Sequence, residues 1–389
     1  MIIMSLSKRE RVFKALELDG EPDVVPINYF GFEQTGRSFQ AYKESGEMDN
    51  YRSYVEDKVS NIKYYITEQR FWNVDLYAMD PFGENKIKIR YEKAPPEYPN
   101  CRLNRMDGRL YRTEKNVNTG LDYSWYVGGH FKTPEIMHEY WSRYGKPTEL
   151  INKRVKYSSQ TWERFVEALA PYFYPMANLP INPSEVLIGG ITFSRFAYYI
   201  RKNPSFIHEI MDEYTKVNIE IIKRLAEVGV DIVMFGDDLG YKDNGFFSLK
   251  VFREFILPYH KKMYNACKKR GVLVVLHSCG KCDQYLPDLV DAGLNCIQSL
   301  EATAGVDLPG LKESLGDRLC FMGGLDSSGV LTFGTPKDVE ENVRNTIKSA
   351  GKGGGFVVGP SHDILNMPWE NILAMRAAIE KYRKYPLKF

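Results

Sequence analysis

Apolar runs and amphipathic stretches alternate along most of this chain, and their order predicts a fold. From residue 158 onward, strand-like runs lie at Glu185 to Ile188, Asp231 to Phe235, Leu273 to Leu276, Asn295 to Leu300, Arg318 to Met322 and Phe356 to Val358. Segments 205 to 227, 249 to 269, 283 to 292 and 336 to 350 lie between them and carry apolar residues at helical spacing. Continuous apolar strands, each followed by a helix, mark a parallel sheet covered by helices. Ahead of these units, Ser7 and Glu10 form a capping box for an opening helix, and Val24 to Phe30 reads as a buried strand. A helix over 50 to 70 then leads to a second strand, Val74 to Met79, ending at Asp80. Six strands and two make eight, which predicts an α/β protein of the (β/α)8 TIM-barrel type. A doubly wound open sheet is the alternative, but no G-x-G-x-x-G follows the first strand to support it. Between about 84 and 130, KIKIRY, RLYRTE and DYSWYV predict a β-hairpin insertion within a single domain over 1–389.

Composition narrows the function classes. A chain of 389 residues that is 43% hydrophobic and 13% aromatic has ample surface to bury, which excludes disorder as its main state. With 52 Lys and Arg against 50 Asp and Glu, the formal charge is +2 and no basic stripe suits a polyanion, so no nucleic-acid partner is expected. MIIMSLSKRERVFKAL has neither signal-peptide nor transit-peptide character, and no apolar window is long enough for a membrane span. Six cysteines are too few and too clustered for a disulfide framework, so reduced thiols in the cytoplasm are the expectation.

In a barrel of this kind the active site lies at the C-terminal ends of the strands. Polar residues collect there: Asp237 and Asp238; His277, Ser278 and Cys279; Glu301; Asp326; Ser361, His362 and Asp363. Along an extended segment His277 and Cys279 share one side, and zinc accepts imidazole nitrogen together with thiolate. Glu301 and His362 are placed to complete such a site. A hydrogen-bonded loop histidine and a small buried cysteine are the plainer readings of the same pair. Cys279 and Cys282 also spell C-x-x-C before a helix, which admits a redox dithiol or Cys282 as an alternative ligand. Of Asp237 and Asp238, one is expected to face the mouth while the other caps the following turn. His138, His208 and His260 read as helix-surface residues, His130 could join a lid, and Cys296 and Cys320 read as core.

At these residues the sequence resembles the uroporphyrinogen decarboxylase superfamily. SKRERVFKALELDGEPDVVPI is similar to its opening helix and first strand, and GDDLGYKDNGFFSLKVFREFILPYHKKM, HSCGKCDQYLPDLVDAGLNCIQSLEA and GPSHDILNMPWENI to later blocks in the same order. The resemblance implies a (β/α)8 barrel and one of two activities. The decarboxylase branch uses arginines in an R-Q-A-G-R-Y motif, an aspartate near the second strand and a C-terminal histidine. Here the motif corresponds to Glu33-Gln34-Thr35-Gly36-Arg37-Ser38, Asp80 or Asp75 stands for the aspartate, and His362 for the histidine. An acid at the leading position of an anion clamp argues against a substrate bearing eight carboxylates.

The second branch comprises zinc-dependent methyltransferases that work with corrinoid proteins. Its His-x-Cys-Gly is matched by His277, Cys279 and Gly280, its glutamate by Glu301, and its P-G-C block by Pro360-Ser361-His362. The resemblance thus implies Zn2+ on His277, Cys279, Glu301 and His362. Catalytic duty would fall to Asp237 or Asp238 with Glu301 and His362, and substrate contacts to Arg37, Asp80, Asp326 and Ser361. It implies a corrinoid-binding protein carrying methylcobalamin as partner, and a thiol, methyl ether or methylamine as small molecule. Histidine in place of cysteine leaves the zinc a stronger Lewis acid, which could polarise an ether oxygen. Uroporphyrinogen decarboxylation and a non-catalytic corrinoid- or tetrapyrrole-binding barrel are the alternatives.

Overall fold

A computed structural model describes residues 5–79, 91–151, 158–179 and 181–389. Seven parallel strands form one sheet in the order β13-β12-β11-β10-β9-β8-β3. They are β3 (Leu76–Met79), β8 (Tyr174–Asn178), β9 (Ile232–Gly236), β10 (Leu273–Ser278), β11 (Cys296–Ser299), β12 (Cys320–Leu325) and β13 (Phe356–Pro360). An eighth stave closes the ring, because Ile27 bridges Val358 on β13 and Asn28 bridges Leu76 on β3, both in parallel. The Asn28 amide donates to Val358 O at 2.9 Å, and the Asp75 amide to Ile27 O at 2.8 Å. The expected (β/α)8 barrel is the architecture found.

Two expectations fail locally. The run at Glu185 to Ile188 is helical: Pro183–Glu185 is a helical turn and Val186–Thr192 a π-helix. A helix buried on nearly all sides is apolar throughout and reads like a buried strand. The true stave, β8, was hidden by Pro175, which has no N–H for a ladder. The structure accommodates it because β9 joins β8 only at Ala177 and Asn178, beyond the proline. The expected helix over 50 to 70 is instead the hairpin of β1 (Tyr54–Asp57) and β2 (Ile62–Tyr65), followed by helix Thr67–Trp72.

Four antiparallel strands make up the described part of the insertion: β4 (Tyr91–Lys93), β5 (Cys101–Asn104), β6 (Arg109–Lys115) and β7 (Asp122–Gly129). Most of KIKIRY lies outside the described residues. The β6–β7 hairpin reaches Thr35 on one side, where Thr119 Oγ1 donates to its carbonyl at 2.6 Å. On the other it reaches the π-helix, where Tyr126 Oη donates to Gly189 O at 2.9 Å and the Phe131 amide to Gly190 O at 2.9 Å. It therefore roofs one flank of the barrel mouth.

Inside the barrel, Leu76, Met176, Ile232, Met234, Val275, Cys296, Cys320, Met322 and Val357 pack together, and Val12, Ala15 and Leu16 of helix Lys8–Leu16 plug the far end. At that plugged end sits Asp75, fully buried. Its carboxylate accepts from the Arg11 guanidinium, from Arg383 Nη2 at 3.0 Å and from the Ile27 amide at 2.9 Å, with Lys8 Nζ 3.6 Å away. Breaking a buried pair strands its partner's charge. Asp75→Ala is therefore expected to cost about 3–5 kcal/mol, read as a lower midpoint in a urea melt, whereas truncating the exposed Lys115–Asp122 pair should cost under about 1 kcal/mol.

Candidate metal centre

The two-residue period of the strands decides what faces the mouth. Val275 points into the barrel, so His277 and Cys279 follow it inward; on β9, Ile232 and Met234 point inward, which carries Asp238 to the mouth and turns Asp237 away. Asp237 is fully buried outside the ring, where it accepts from the Ser184 amide (2.9 Å) and hydroxyl (2.7 Å) and pairs with His260 Nε2 (2.8 Å). His260, expected at a helix surface, is fully buried, with Nδ1 3.0 Å from Tyr264 Oη. Asp237 and His260 thus tie the helices to β9.

His277, Cys279 and His362 come together: one ligand atom from each lies within 4.8 Å of the others. Cys279 Sγ is 3.2 Å from His277 Nε2. Zinc bonds of roughly 2.3 Å to sulfur and 2.0–2.1 Å to nitrogen in a tetrahedral site separate such donors by about 3.5 Å, so this pair is spaced for a shared ion. His277 faces Gln298 across the ladder, and its Nδ1 is hydrogen-bonded to Gln298 Oε1. With Oε1 as acceptor, the proton sits on Nδ1 and the Nε2 lone pair points at the sulfur. His362 is half-exposed and accepts from the Asp363 amide through Nδ1 at 2.8 Å.

Asp238 steadies the loop: it accepts from the Cys279 amide at 2.8 Å and lies 3.9 Å from His277 Nε2. Glu301 is not among the three clustered donors; it accepts from the Gly280 amide at 3.1 Å, beside them. Two non-glycine residues in the left-handed region precede it, Ser299 at φ 115° and Leu300 at φ 62°. Backbone strain of this kind at a strand end is a mark of functional geometry. Burial pushes the Cys279 thiol up, helped by the charges of Asp238 and Glu301, while burial pushes the His277 imidazole down. Without a cation the pocket therefore holds a neutral thiol and a neutral imidazole, and a metal ion would displace the thiol proton.

The remaining candidates are placed elsewhere. Asp326 caps a turn, accepting from the Gly329 amide (2.9 Å) and the Val330 amide (3.1 Å). Ser361 is buried and accepts from the Ser327 amide at 3.4 Å. Arg37 is exposed at the start of helix Arg37–Glu44, with its amide on Asn366 Oδ1 at 3.3 Å. Asp80 lies outside the described residues, and Cys282 is buried and outside the donor cluster. Sequence reasoning missed Gln298, although a glutamine inside the apolar run CIQSL was a visible signal. It also missed Glu185, which Arg109 Nη2 of the insertion (2.8 Å) and Asn182 Nδ2 (2.8 Å) hold beside β9.

With this geometry in view, the chain can be set beside known proteins. The sequence profile of the family described as uroporphyrinogen decarboxylase (URO-D) matches residues 121–382, more than half of the chain. The chain belongs to the uroporphyrinogen decarboxylase family. Within its reach lies a methylcobamide:CoM methyltransferase of Methanosarcina barkeri, 28% identical over 214 residues, which are 52% of this chain and 60% of that protein. A uroporphyrinogen decarboxylase of Psychromonas ingrahamii is 27% identical over 173 residues, 43% of this chain and 46% of that protein. The chain thus spans 60% or less of the length of these two curated relatives. A solved methyltransferase from Methanosarcina mazei superposes with a TM-score of 0.63 at 16% identity, covering 97% of this chain and 99% of that one, which shows the shared fold.

In this member of the family Glu185 titrates unusually. Burial, with the charges of Asp238 and Asp237, outweighs Arg109 and pushes its carboxyl from the ordinary 4.5 up to about 7. A carboxyl raised on folding stabilises fully below its unfolded value, and that stability is lost as pH rises from about 4.5 to about 7. Glu185→Gln should therefore gain on the parent across that window, by about 3 kcal/mol at most, seen as a Tm difference that widens between pH 5 and pH 8.

Proposed function

We propose that this protein is a zinc-dependent methyltransferase that passes a methyl group between a small molecule and the corrinoid of a partner protein. The convergence of His277, Cys279 and His362 carries the reading, and the methylcobamide:CoM methyltransferase relative supports it. Sulfur and two imidazoles are the donor set zinc prefers, and Glu301 stands next to them to close the site or meet the substrate. A zinc ion supplies Lewis acidity, which lowers the pKa of a thiol or polarises an ether oxygen.

The chain's own residues prepare that chemistry. Gln298 fixes the His277 tautomer, and losing a partner of this kind typically weakens metal binding by about 10- to 100-fold. Asp238 holds the Cys279 amide and so fixes the backbone from which the thiol projects. Free Cys279 suits a reducing compartment such as the cytoplasm, and no helix among the described residues is long and apolar enough to cross a membrane. The decarboxylase alternative is less well served. The charged groups that bear on His277 and Asp363 include Asp238, Glu301 and Glu33, and an acidic neighbourhood disfavours a polycarboxylate.

Metal analysis of protein purified without chelator is expected to give about one zinc per chain, lost in both His277→Ala and Cys279→Ala. A metal-free parent after zinc is supplied would overturn the reading. In the same preparation Gln298→Leu should bind zinc about 10- to 100-fold more weakly with an unchanged circular dichroism spectrum. Demethylation of methylcobalamin by added thiols, followed by absorbance, should require the zinc-loaded parent.

A further inference from the structure

A cavity of about 960 Å3 opens between helix Arg37–Glu44, the β1–β2 hairpin, helix Thr67–Trp72 and β3. Leu76 points into the barrel, so its neighbour Tyr77 points out and puts this cavity outside the ring. None of its lining residues belongs to the donor cluster. Five rings line it, those of Phe39, Tyr42, Tyr64, Tyr65 and Tyr77. A volume of this size holds a small organic molecule.

Glu68 sits half-buried among these rings. Its Oε2 accepts from Tyr29 Oη at 3.2 Å and from the Phe32 amide at 3.5 Å. Among the described residues its Oε1 accepts no hydrogen bond and no cation pairs with it, and burial pushes its carboxyl up. The Tyr42 hydroxyl, in the same wall, is buried and has no partner among the described residues, so a second polar group there stands unanswered. A carboxylate without a cation, set among aromatic faces, is the inner half of an ammonium site. Methyl groups on the nitrogen leave no N–H to satisfy, which suits a wall built of rings.

The outer part of the cavity has the opposite sign, with Arg52 and Lys63 against Asp49. The exposed Arg52 guanidinium has no ion pair among the described residues, and Lys63 Nζ rests 3.6 Å from the Tyr54 ring centroid with no carboxylate partner. Counting Glu68, two cations and two carboxylates leave the lining neutral, which favours a neutral zwitterion over a bare ion. We infer that this cavity binds a zwitterion with a quaternary ammonium head and a carboxylate tail. The head lies against Glu68 and the rings, and the tail against Arg52 and Lys63. Phe32, whose amide reaches Glu68, bridges Ile364 two residues beyond His362, so the site lies behind the loop of the metal centre and not within it.

γ-Butyrobetaine is the probe, titrated calorimetrically into the full chain beside its carbon isostere, in which a tert-butyl group replaces the trimethylammonium group. The parent is expected to bind the probe saturably and the isostere about tenfold more weakly or worse. Glu68→Gln should erase that preference with an unchanged circular dichroism spectrum, whereas Arg52→Ala/Lys63→Ala should weaken both compounds by a similar factor. A parent that does not bind the probe, or binds the isostere as tightly, would overturn the site, and this comparison needs no variant to fold. So would a folded Glu68→Gln variant that keeps the preference. The His277→Ala variant should bind the probe like the parent, which keeps this result separate from the fate of the metal reading; loss of binding there would overturn a site apart from the metal centre.

Discussion

The buried carboxylate of Asp75 is the constraint on which the rest hangs. It binds a helix residue near the start of the chain, Arg11, to a residue near its end, Arg383, and it accepts the amide of Ile27 in the stave that completes the ring. A curled sheet of seven strands would otherwise present two open edges, and edges invite foreign pairing. Closing the ring also sets the distance between β13 and β10. His362 follows the first and His277 lies on the second, so a charge network at the plugged end holds the geometry of a cluster at the open one.

At the open end, small residues and polar partners share the work. His277 lies between Gly236 and Gln298 across the ladder; Gln298 supplies its orientation, and the bare Gly236 leaves room for the Asn182 amide. Asp238 and Glu301 hold successive amides of the Cys279–Gly280 turn. The result is a cluster whose backbone is fixed before any ion arrives, which is the preorganisation a binding site needs.

Much of this was legible in the sequence because the strands obey a two-residue period to their ends. That period placed His277 and Cys279 on one side and divided Asp237 from Asp238. What the sequence hid was hidden for local reasons. Pro175 disguised a stave, and the buried run Val186 to Ile191 imitated one, so the number of strands came out right with one of them misplaced. Glu301 follows the motif and lies beside the donors on the Gly280 amide, and what the sequence hid there is the left-handed backbone of Ser299 and Leu300, since no glycine announces the turn. His260 looked like a surface residue because its partner, Asp237, is 23 positions away.

The roof over the mouth is fastened in a particular way. Thr119, Tyr126 and the Phe131 amide all donate to backbone carbonyls, those of Thr35, Gly189 and Gly190. A carbonyl oxygen is present whatever side chain the residue carries. The freedom this gives to change the side chain belongs to Thr35 alone, because a Cβ on Gly190 would run into the Asp107 carbonyl of the insertion; where the cover meets the π-helix it rests on bare backbone, and a side chain added there would lift it.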